Sequence, residues 1–121
     1  MKRIGLLHHP KLPETQPLAE KMARQAKSVG LAVWIGSTWD TVSVSREIAS
    51  LDLLVTLGGD GSILRAARMS CEHCVPVLGV NMGRLGFLSE LEPDEWQAAL
   101  PLLLSGDCWI EERSMLYAEY H

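Results

Sequence analysis

Four short apolar runs recur along the chain, and stretches with the spacing of amphipathic helices separate them. The runs span residues 3–7, 31–35, 51–57 and 75–80. The last run is apolar on both faces of an extended chain, which is typical of parallel strands covered by helices. Strands that alternate with helices predict an α/β fold with an open, mostly parallel sheet and right-handed crossovers.

Helix-breaking and helix-capping residues set the expected boundaries of the first helices. Pro17 suits the first turn of a helix, and Gly30 suits the position just past its end. Ser43 or Ser45 is the expected cap of a short helix that ends near Ala49. For the first helix, helical spacing predicts a buried face made of Leu18, Met22, Ala26 and Val29.

Two further helices are expected in the second half of the chain. One covers residues 62–70, and its buried face would use Ile63, Ala66, Ala67 and Met69. The other opens at Pro93, and one face of it would carry Trp96, Leu100 and Leu103. Pro101 is expected to kink or stop this last helix because proline has no backbone N–H.

Charge and composition exclude several classes of protein. The 121 residues include 11 Lys and Arg against 15 Asp and Glu, and no basic run is longer than Lys2-Arg3, so a nucleic-acid partner is not expected. Three cysteines are an odd number, which argues against a disulfide framework and for a reducing compartment. No apolar run approaches the roughly 20 residues of a spanning helix, so we expect a cytoplasmic protein without a membrane partner.

The most informative segment is residues 58–62, with the sequence Gly-Gly-Asp-Gly-Ser. It follows a predicted strand and opens a predicted helix, and open α/β sheets bind ligands at the carboxyl ends of their strands. Glycines let the backbone approach a phosphate, and a helix start offers free N–H groups to it. Among such glycines, Asp60 fits a base toward a hydroxyl or a ligand of Mg²⁺. The alternative is a tight turn in which Asp60 only caps the helix.

Two motifs in this order resemble the signature of NAD kinases. The first, LGGDGSILRAA, covers residues 57–67 and is shared with diacylglycerol-type lipid kinases and 6-phosphofructokinases. The second, PVLGVNMGRLGFL, covers residues 76–88 and is much more particular to the family. His9-Pro10 and the sequence EERSML at residues 111–116 also match, so the resemblance extends over nearly the whole chain.

The resemblance implies phosphorylation of NAD to NADP at the 2′-hydroxyl of the adenosine ribose, with ATP or another phosphate donor. It makes Asp60 the catalytic carboxylate, with Gly61, Arg65 and Phe87 as further residues that bind NAD. A divalent metal, most simply Mg²⁺, is expected to neutralise charge during phosphoryl transfer. The positions implied for the phosphate donor and its loop are Gly58, Gly59, Ser62 and Asn81.

The resemblance also implies a second, β-rich domain with an Asn-Glu or Asn-Asp pair, which this sequence does not contain. Residues 1–106 would then form a Rossmann-like nucleotide-binding domain with helices on both faces of the sheet, and residues 107–121 the first strand of the truncated β-rich domain. The chain alone is therefore predicted to be inactive. An unpaired strand after Trp109 and an apolar face around Trp96 predict that this chain self-associates or is marginally stable, and a homo-oligomer is expected for the full-length protein.

Alternative interpretations remain open at this stage. The chain could be another kinase with the same glycine-rich motif, acting on a lipid or a sugar phosphate, or a non-catalytic nucleotide-binding domain. Cys71 and Cys74 have C-x-x-C spacing, although a single such pair is a weak indication of zinc or redox chemistry. His8 and His9 follow the first strand, where they either contact phosphate or stabilise a turn. The four tryptophans are expected in the core or at a domain interface.

Overall fold

The computed structural model describes residues 1–82 and 91–105. Four strands form one sheet in the order β2-β1-β3-β4, and every neighbouring pair is parallel. The α/β class and the open parallel sheet predicted from the sequence are confirmed. The strands are β1 (Arg3–His8), β2 (Ala32–Ser37), β3 (Leu53–Gly58) and β4 (Val77–Asn81).

The two inner strands, β1 and β3, are buried on both faces. All six residues of β3 are buried, and so are the four central residues of β1. In register, Leu6 lies opposite Ile35 of β2 on one side and Val55 of β3 on the other. The continuous apolar runs of the sequence therefore mark the strands that helices cover from both sides.

Four helices cover the sheet, two on each face. They are α1 (Thr15–Ser28), α2 (Thr41–Glu47), α3 (Asp60–Ser70) and α4 (Trp96–Ser105). One hydrophobic core contains Met22 of α1 and Trp96 of α4 beneath one face of the sheet. The other contains Val44 of α2 and Ala66 of α3 beneath the opposite face. Helices on both faces were predicted, and the two separate cores confirm them.

The buried face of α1 differs from the one predicted. Gly30 follows the helix with a φ of 96°, as the sequence indicated. Val29, however, lies past the last helical residue and is 43% exposed, so it takes no part in the core. Small side chains instead let α1 approach the sheet closely, and the buried positions are Thr15, Ala19, Met22, Ala23 and Ala26.

The cap of α2 is Asp40, so the prediction of Ser43 or Ser45 was wrong. The carboxylate of Asp40 accepts a hydrogen bond from the backbone N–H of Ser43 at 3.1 Å and another from its hydroxyl at 2.7 Å. These two bonds lower the pKa of Asp40. Asp40 takes the capping position because it precedes the first helical residue, whereas Ser43 already lies in the first turn.

Helix α4 continues through Pro101 and ends at Ser105, so of the two expected effects of the proline, a kink or a stop, the stop does not occur. Pro101 and Gln97, four residues earlier, are both exposed. Pro101 thus lies on the exposed side of α4, where water can replace a missing helical hydrogen bond. A 3-10 turn, Pro93–Glu95, leads into α4 as the sequence indicated. The buried indole N–H of Trp96 donates to the carbonyl of Met22 at 3.2 Å, which fixes α4 against α1.

A carboxylate ties β1 to the start of β3 at the amino-terminal edge of the sheet. Asp52 accepts hydrogen bonds from the backbone N–H groups of Lys2 at 2.7 Å and Arg3 at 3.0 Å. These bonds lower the pKa of Asp52. The guanidinium of Arg3 also lies 2.7 Å from the carboxylate of Glu47, at the end of α2. These contacts join β1 to the start of β3 and to the end of α2, at the edge of the sheet opposite the carboxyl ends of the strands.

Several predictions fall outside the described residues. They concern Phe87, the matching sequence at residues 111–116, and the first strand of a second domain at residues 107–121 with the boundary beside it. Within the described part of the chain, no helix is long and apolar enough to span a bilayer.

Candidate functional site

The strand order places a crevice between the carboxyl ends of β1 and β3. The chain passes from β1 outward to β2 and then returns across β1 to β3, so the connections diverge at this point. Divergence of this kind opens a crevice in which open α/β sheets bind ligands. Gly58, at the end of β3, and His9, just after β1, face each other there. A Cβ built on Gly58 would lie 3.4 Å from Cδ2 of His9.

A pocket of about 680 Å³ occupies this crevice. It is lined from the ends of all four strands: by His9 after β1, Trp39 after β2, Gly58 and Gly59 at β3, and Asn81 at β4. Gly58 and Asn81 are also direct register partners in the sheet. The glycine-rich segment and the end of the fourth strand therefore share one crevice.

The glycines of residues 58–61 meet different surroundings. A Cβ at Gly58 would lie 2.5 Å from the hydroxyl oxygen of Ser62, so no side chain fits there without movement. A Cβ at Gly59 or Gly61 would have no heavy atom within 4 Å, and both glycines line the pocket. The backbone at these two positions is therefore open to a ligand that approaches closely.

Helix α3 points its amino end into the pocket. Gly59 is the N-cap, and its carbonyl accepts hydrogen bonds from the backbone N–H groups of Ser62 at 3.1 Å and Ile63 at 3.2 Å. Asp60 is the first helical residue, and Gly59 rather than Asp60 occupies the N-cap position. The half-buried Asp60 thus lies where the helix dipole favours negative charge, including that of a phosphate.

Asn81 joins the end of β4 to the segment that follows residue 90. Its amide nitrogen donates to the carboxylate of Glu92 at 3.1 Å, and its backbone N–H donates to the carbonyl of Leu91 at 2.8 Å. The backbone N–H of Met82 donates to the carbonyl of Gly58 at 3.2 Å. The buried side-chain oxygen of Asn81 has no hydrogen-bond partner among the described residues.

Comparison with known proteins identifies the family. The family model described as "ATP-NAD kinase N-terminal domain" matches residues 4–108. The chain belongs to this family.

The curated relatives are much longer than the segment that matches this chain. The NAD kinase of Dehalococcoides mccartyi is 40% identical over 119 residues, which cover 98% of this chain and 42% of the relative. The NAD kinase of Heliobacterium modesticaldum is 38% identical over 125 residues, covering 98% of this chain and 44% of the relative. The chain thus spans about two fifths of the length of these NAD kinases.

A solved structure shows the same fold at low identity. A 3-dehydroquinate dehydratase-like protein from Bifidobacterium longum superposes with a TM-score of 0.55 and 16% sequence identity, covering 90% of this chain and 100% of that one. At this identity the likeness concerns the fold alone. It agrees with the open α/β sheet that positions the pocket.

The residues matched to the NAD kinase motifs fall into three groups. Gly58, Gly59, Gly61, Ser62, Arg65 and Asn81 all line the pocket. Asp60 lies between two of these glycines at the start of α3. Phe87 is outside the described residues.

Trp39 is a pocket residue that the sequence reasoning missed. Tryptophans were expected in the core or at an interface, which holds for the buried Trp96. Trp39 is instead 46% exposed and lines the pocket. Its position directly after the second strand was the available signal, because residues at the carboxyl ends of strands build the ligand crevice.

His9 stabilises the turn after the first strand and also lines the pocket. Its backbone N–H donates to the hydroxyl of Thr15 at 2.8 Å, and its Nδ1 accepts from the backbone N–H of Lys11 at 3.1 Å, so it stabilises the turn. Its ring also lines the pocket, 5.9 Å from the ring of Trp39.

The donor set suits a metal held jointly by protein and substrate. No group of three or more His, Cys, Asp or Glu that could hold a metal occurs among residues 1–82 and 91–105. Mg²⁺, however, is commonly bound through one or two carboxylates together with substrate phosphates. A single carboxylate, Asp60, beside phosphate-accessible glycines fits that mode. Cys71 and Cys74 are free, exposed thiols after the far end of α3, so they do not contribute to the pocket.

Proposed function

We propose that this chain is the nucleotide-binding part of an NAD kinase, which transfers a phosphoryl group from ATP or another phosphate donor to the 2′-hydroxyl of the adenosine ribose of NAD. One observation carries the proposal. The carboxylate-bearing residue Asp60 opens a helix at the ligand crevice, between two glycines whose Cβ positions face open space. This arrangement offers a base and room for phosphates in the same place.

The proposed reaction needs little covalent chemistry from the protein. The 2′-hydroxyl oxygen of NAD attacks the terminal phosphorus of the donor, the bond from that phosphorus to the bridging oxygen breaks, and Asp60 accepts the hydroxyl proton. Mg²⁺, when bound, neutralises charge on the donor phosphates. The products are NADP and, from ATP, ADP. Positioning and charge neutralisation then account for most of the rate.

The pocket residues have distinct proposed tasks. Gly58 keeps the crevice free of a side chain, and Gly59 with Ser62 lines the approach for the phosphate donor. Gly61, Arg65 and Phe87 contact NAD. Asn81 holds the chain that leaves β4, through its bond to Glu92.

The first test compares the chain alone with a chimera. We expect little or no NADP from the chain alone. It spans about two fifths of the length of its NAD kinase relatives, and we expect that without the remaining part the 2′-hydroxyl of NAD is not held near Asp60. Lost orientation of this kind costs on the order of a thousandfold in rate. The chimera replaces the matched segment of the Dehalococcoides mccartyi enzyme with this chain. NADP formation is measured with ATP and Mg²⁺, and robust activity of the chain alone would contradict the expected dependence.

The second test removes the base within the chimera. Asp60→Asn keeps the shape of the side chain but cannot accept a proton, so turnover should fall by roughly 10²–10⁴-fold. Asp94→Asn, in the exposed turn before α4, is the matched control and should retain full turnover. If the turnover of the Asp60→Asn chimera equals that of the unsubstituted chimera, Asp60 is not the catalytic base. A chimera that binds nucleotides without transferring phosphate would instead favour a non-catalytic domain, and transfer to a lipid or sugar phosphate another kinase.

A further inference from the structure

The connection between α3 and β4 is a tight turn held by two backbone hydrogen bonds. The N–H of Cys74 donates to the carbonyl of Cys71 at 3.4 Å, and the N–H of Val75 donates to the carbonyl of Ser70, also at 3.4 Å. Cys74 lies in the left-handed region, with a φ of 54°. Two such bonds around a left-handed residue form the Schellman motif that commonly ends helices. The backbone therefore fixes the positions of Cys71 and Cys74 relative to each other.

The left-handed position of this motif is usually a glycine, because a Cβ is unfavourable there. Gly30, which follows α1 with a φ of 96°, shows the usual choice in this chain. Cys74 is the one residue other than glycine with a positive φ in the described part of the chain. The geometry of the turn thus does not account for a cysteine at this position.

The same turn brings the two cysteines within reach of a disulfide. Residues 71–73 form a single 3-10 turn, which Cys74 follows directly. In such a turn, residues three positions apart lie one above the other, and a rise of about 2 Å per residue separates their Cα atoms by roughly 6 Å. Disulfides join Cα atoms that are about 4.4–6.8 Å apart. The separation of Cys71 and Cys74 therefore suits a bond between them.

Both thiols are accessible from solution. Cys71 and Cys74 are free and exposed, and so are Glu72 and His73 between them. The thiol of Cys71 donates to the carbonyl of Arg68 at 3.4 Å, and a thiol is a weak donor. An oxidant in water can therefore reach both sulfur atoms, and only this weak hydrogen bond has to break before Cys71 turns toward Cys74.

A metal site is the competing use of C-x-x-C spacing. Structural zinc takes four nitrogen or sulfur ligands. No group of three or more His, Cys, Asp or Glu that could hold a metal includes these cysteines within residues 1–82 and 91–105. In the reducing compartment expected from the sequence, disulfides are usually transient and catalytic or redox-sensing. The surroundings of the pair thus favour thiol chemistry over metal binding.

We propose that Cys71 and Cys74 form a reversible disulfide, which makes the turn after α3 a site of thiol–disulfide exchange with small disulfides such as glutathione disulfide. One protein thiolate attacks a sulfur of glutathione disulfide, the S–S bond breaks, and one glutathione leaves. The second protein thiolate attacks the protein sulfur of the mixed disulfide and releases the other glutathione. The two protein thiols lose two electrons and two protons, and glutathione disulfide gains them.

This inference does not depend on the proposed function. The pair lies at the opposite end of α3 from the glycine-rich crevice. Its test therefore needs neither a nucleotide nor turnover.

The test uses the 121-residue chain with Cys108→Ser, because Cys108 is the third cysteine of the sequence. After incubation with glutathione disulfide, intact mass spectrometry should show a chain that has lost two hydrogen atoms and carries no glutathione. Dithiothreitol should then restore two reactive thiols. A chain that retains glutathione, stays reduced or forms disulfide-linked dimers instead would overturn the proposal.

Cys74→Gly in the same background is the matched control, since glycine suits the left-handed position. It should stop at the mixed disulfide of Cys71 with glutathione. Its melting temperature, measured by circular dichroism in the reduced state, should equal or exceed that of the chain with both cysteines. A lower melting temperature would contradict the left-handed turn on which the proposal rests.

A second measurement tests whether the folded turn promotes the bond. The equilibrium constant for closing the disulfide in glutathione buffers is determined for the folded chain and for the chain unfolded in urea. Because the fold holds the two cysteines at bonding distance, the constant should be about tenfold or more larger for the folded chain. An equal or smaller constant in the folded chain would overturn the proposal.

Discussion

Gly58 and Gly59 are neighbours in sequence, yet a side chain would meet opposite conditions at the two positions. At Gly58 a methyl group would collide with the nearly buried Ser62, whereas at Gly59 it would enter open space within the pocket. The first glycine is therefore required by packing, and the second leaves room that a ligand can use. Substitution by alanine separates these two requirements.

We expect Gly58→Ala to lower the free energy of unfolding by roughly 1–3 kcal/mol, as overpacking in a close-packed site does. Gly59→Ala should leave that free energy nearly unchanged and weaken the binding of ATP, because the methyl group occupies the pocket. Urea unfolding and calorimetry measure the two effects. Equal stability of the two variants would show that Ser62 moves aside without cost.

At this scale the sequence predicted the glycine-rich residues well and the wall of the pocket poorly. Gly58, Gly59 and Gly61 could be predicted as residues of the ligand crevice, because glycines between a buried strand and a helix seldom have another role. Trp39 was not, because the exposure of a tryptophan depends on which loops surround it. Its contacts with Lys11 and Arg65 join residues that are 28 and 26 positions away in sequence, and no local pattern encodes them.

The strands and helices differ in how closely they follow local sequence. Strands were predicted to within about two residues at most ends, because runs that are apolar on both faces have few alternatives to a buried parallel sheet. Helix ends were less predictable, since several polar residues close together can compete to cap them. In α2, for example, Asp40 and Ser43 were both candidate caps, and Asp40 occupies the capping position. Pro101 is accommodated within α4 because it lies on the exposed side of the helix.

The hydrogen bonds of Asp52 make the junction of β1 and β3 sensitive to pH. Since its pKa is lowered in the folded protein, the carboxylate stabilises the fold above its unfolded pKa. This contribution is lost as the pH falls through the lower folded pKa. Asp52→Asn should therefore be less stable than the unsubstituted chain near pH 7, and the difference should shrink in acid. Urea midpoints from neutral to acidic pH measure it, with Glu20→Gln as a control for net charge. A difference that is constant with pH would contradict the assignment.

Pro101→Ala should stabilise α4. Alanine restores the backbone N–H that can bond the carbonyl of Gln97, and it removes the clash of the proline ring with the preceding turn. We expect the free energy of unfolding to rise by about 1–3 kcal/mol, measured by urea denaturation. Gln97→Ala, on the same exposed side, is the control and should change it little. An unchanged or lower stability of Pro101→Ala would show that the helix gains from the fixed φ of proline.

Several large apolar side chains are exposed on the surface of the described part of the chain. Leu102 of α4 is 52% exposed and Leu104 is 37% exposed, although α4 lies against α1 through Trp96. Exposed apolar side chains are a feature of surfaces at which proteins associate. The prediction of a homo-oligomer therefore has a specific surface to which it can be assigned.

We expect the isolated chain to self-associate through this part of α4. The double variant Leu102→Gln/Leu104→Gln should reduce the mass-average molecular weight measured by light scattering. Val42→Gln, at a 61% exposed position on α2, is the control and should not reduce it. A monomeric chain with a high melting temperature would contradict the expectation.

The position of β1 at the interior of the sheet has a consequence for synthesis on the ribosome. Its two partners are Ala32–Ser37 and Leu53–Gly58, so β1 emerges before either strand that will flank it. At roughly 5–20 residues per second, the second partner follows only after several seconds. During that interval an apolar segment has no sheet to join, and its exposure to chaperones or to other nascent chains is set by the translation rate of residues 9–58. Slow codons in this stretch would prolong that vulnerable interval, whereas slow codons after residue 58 would give the completed three-stranded unit time to form.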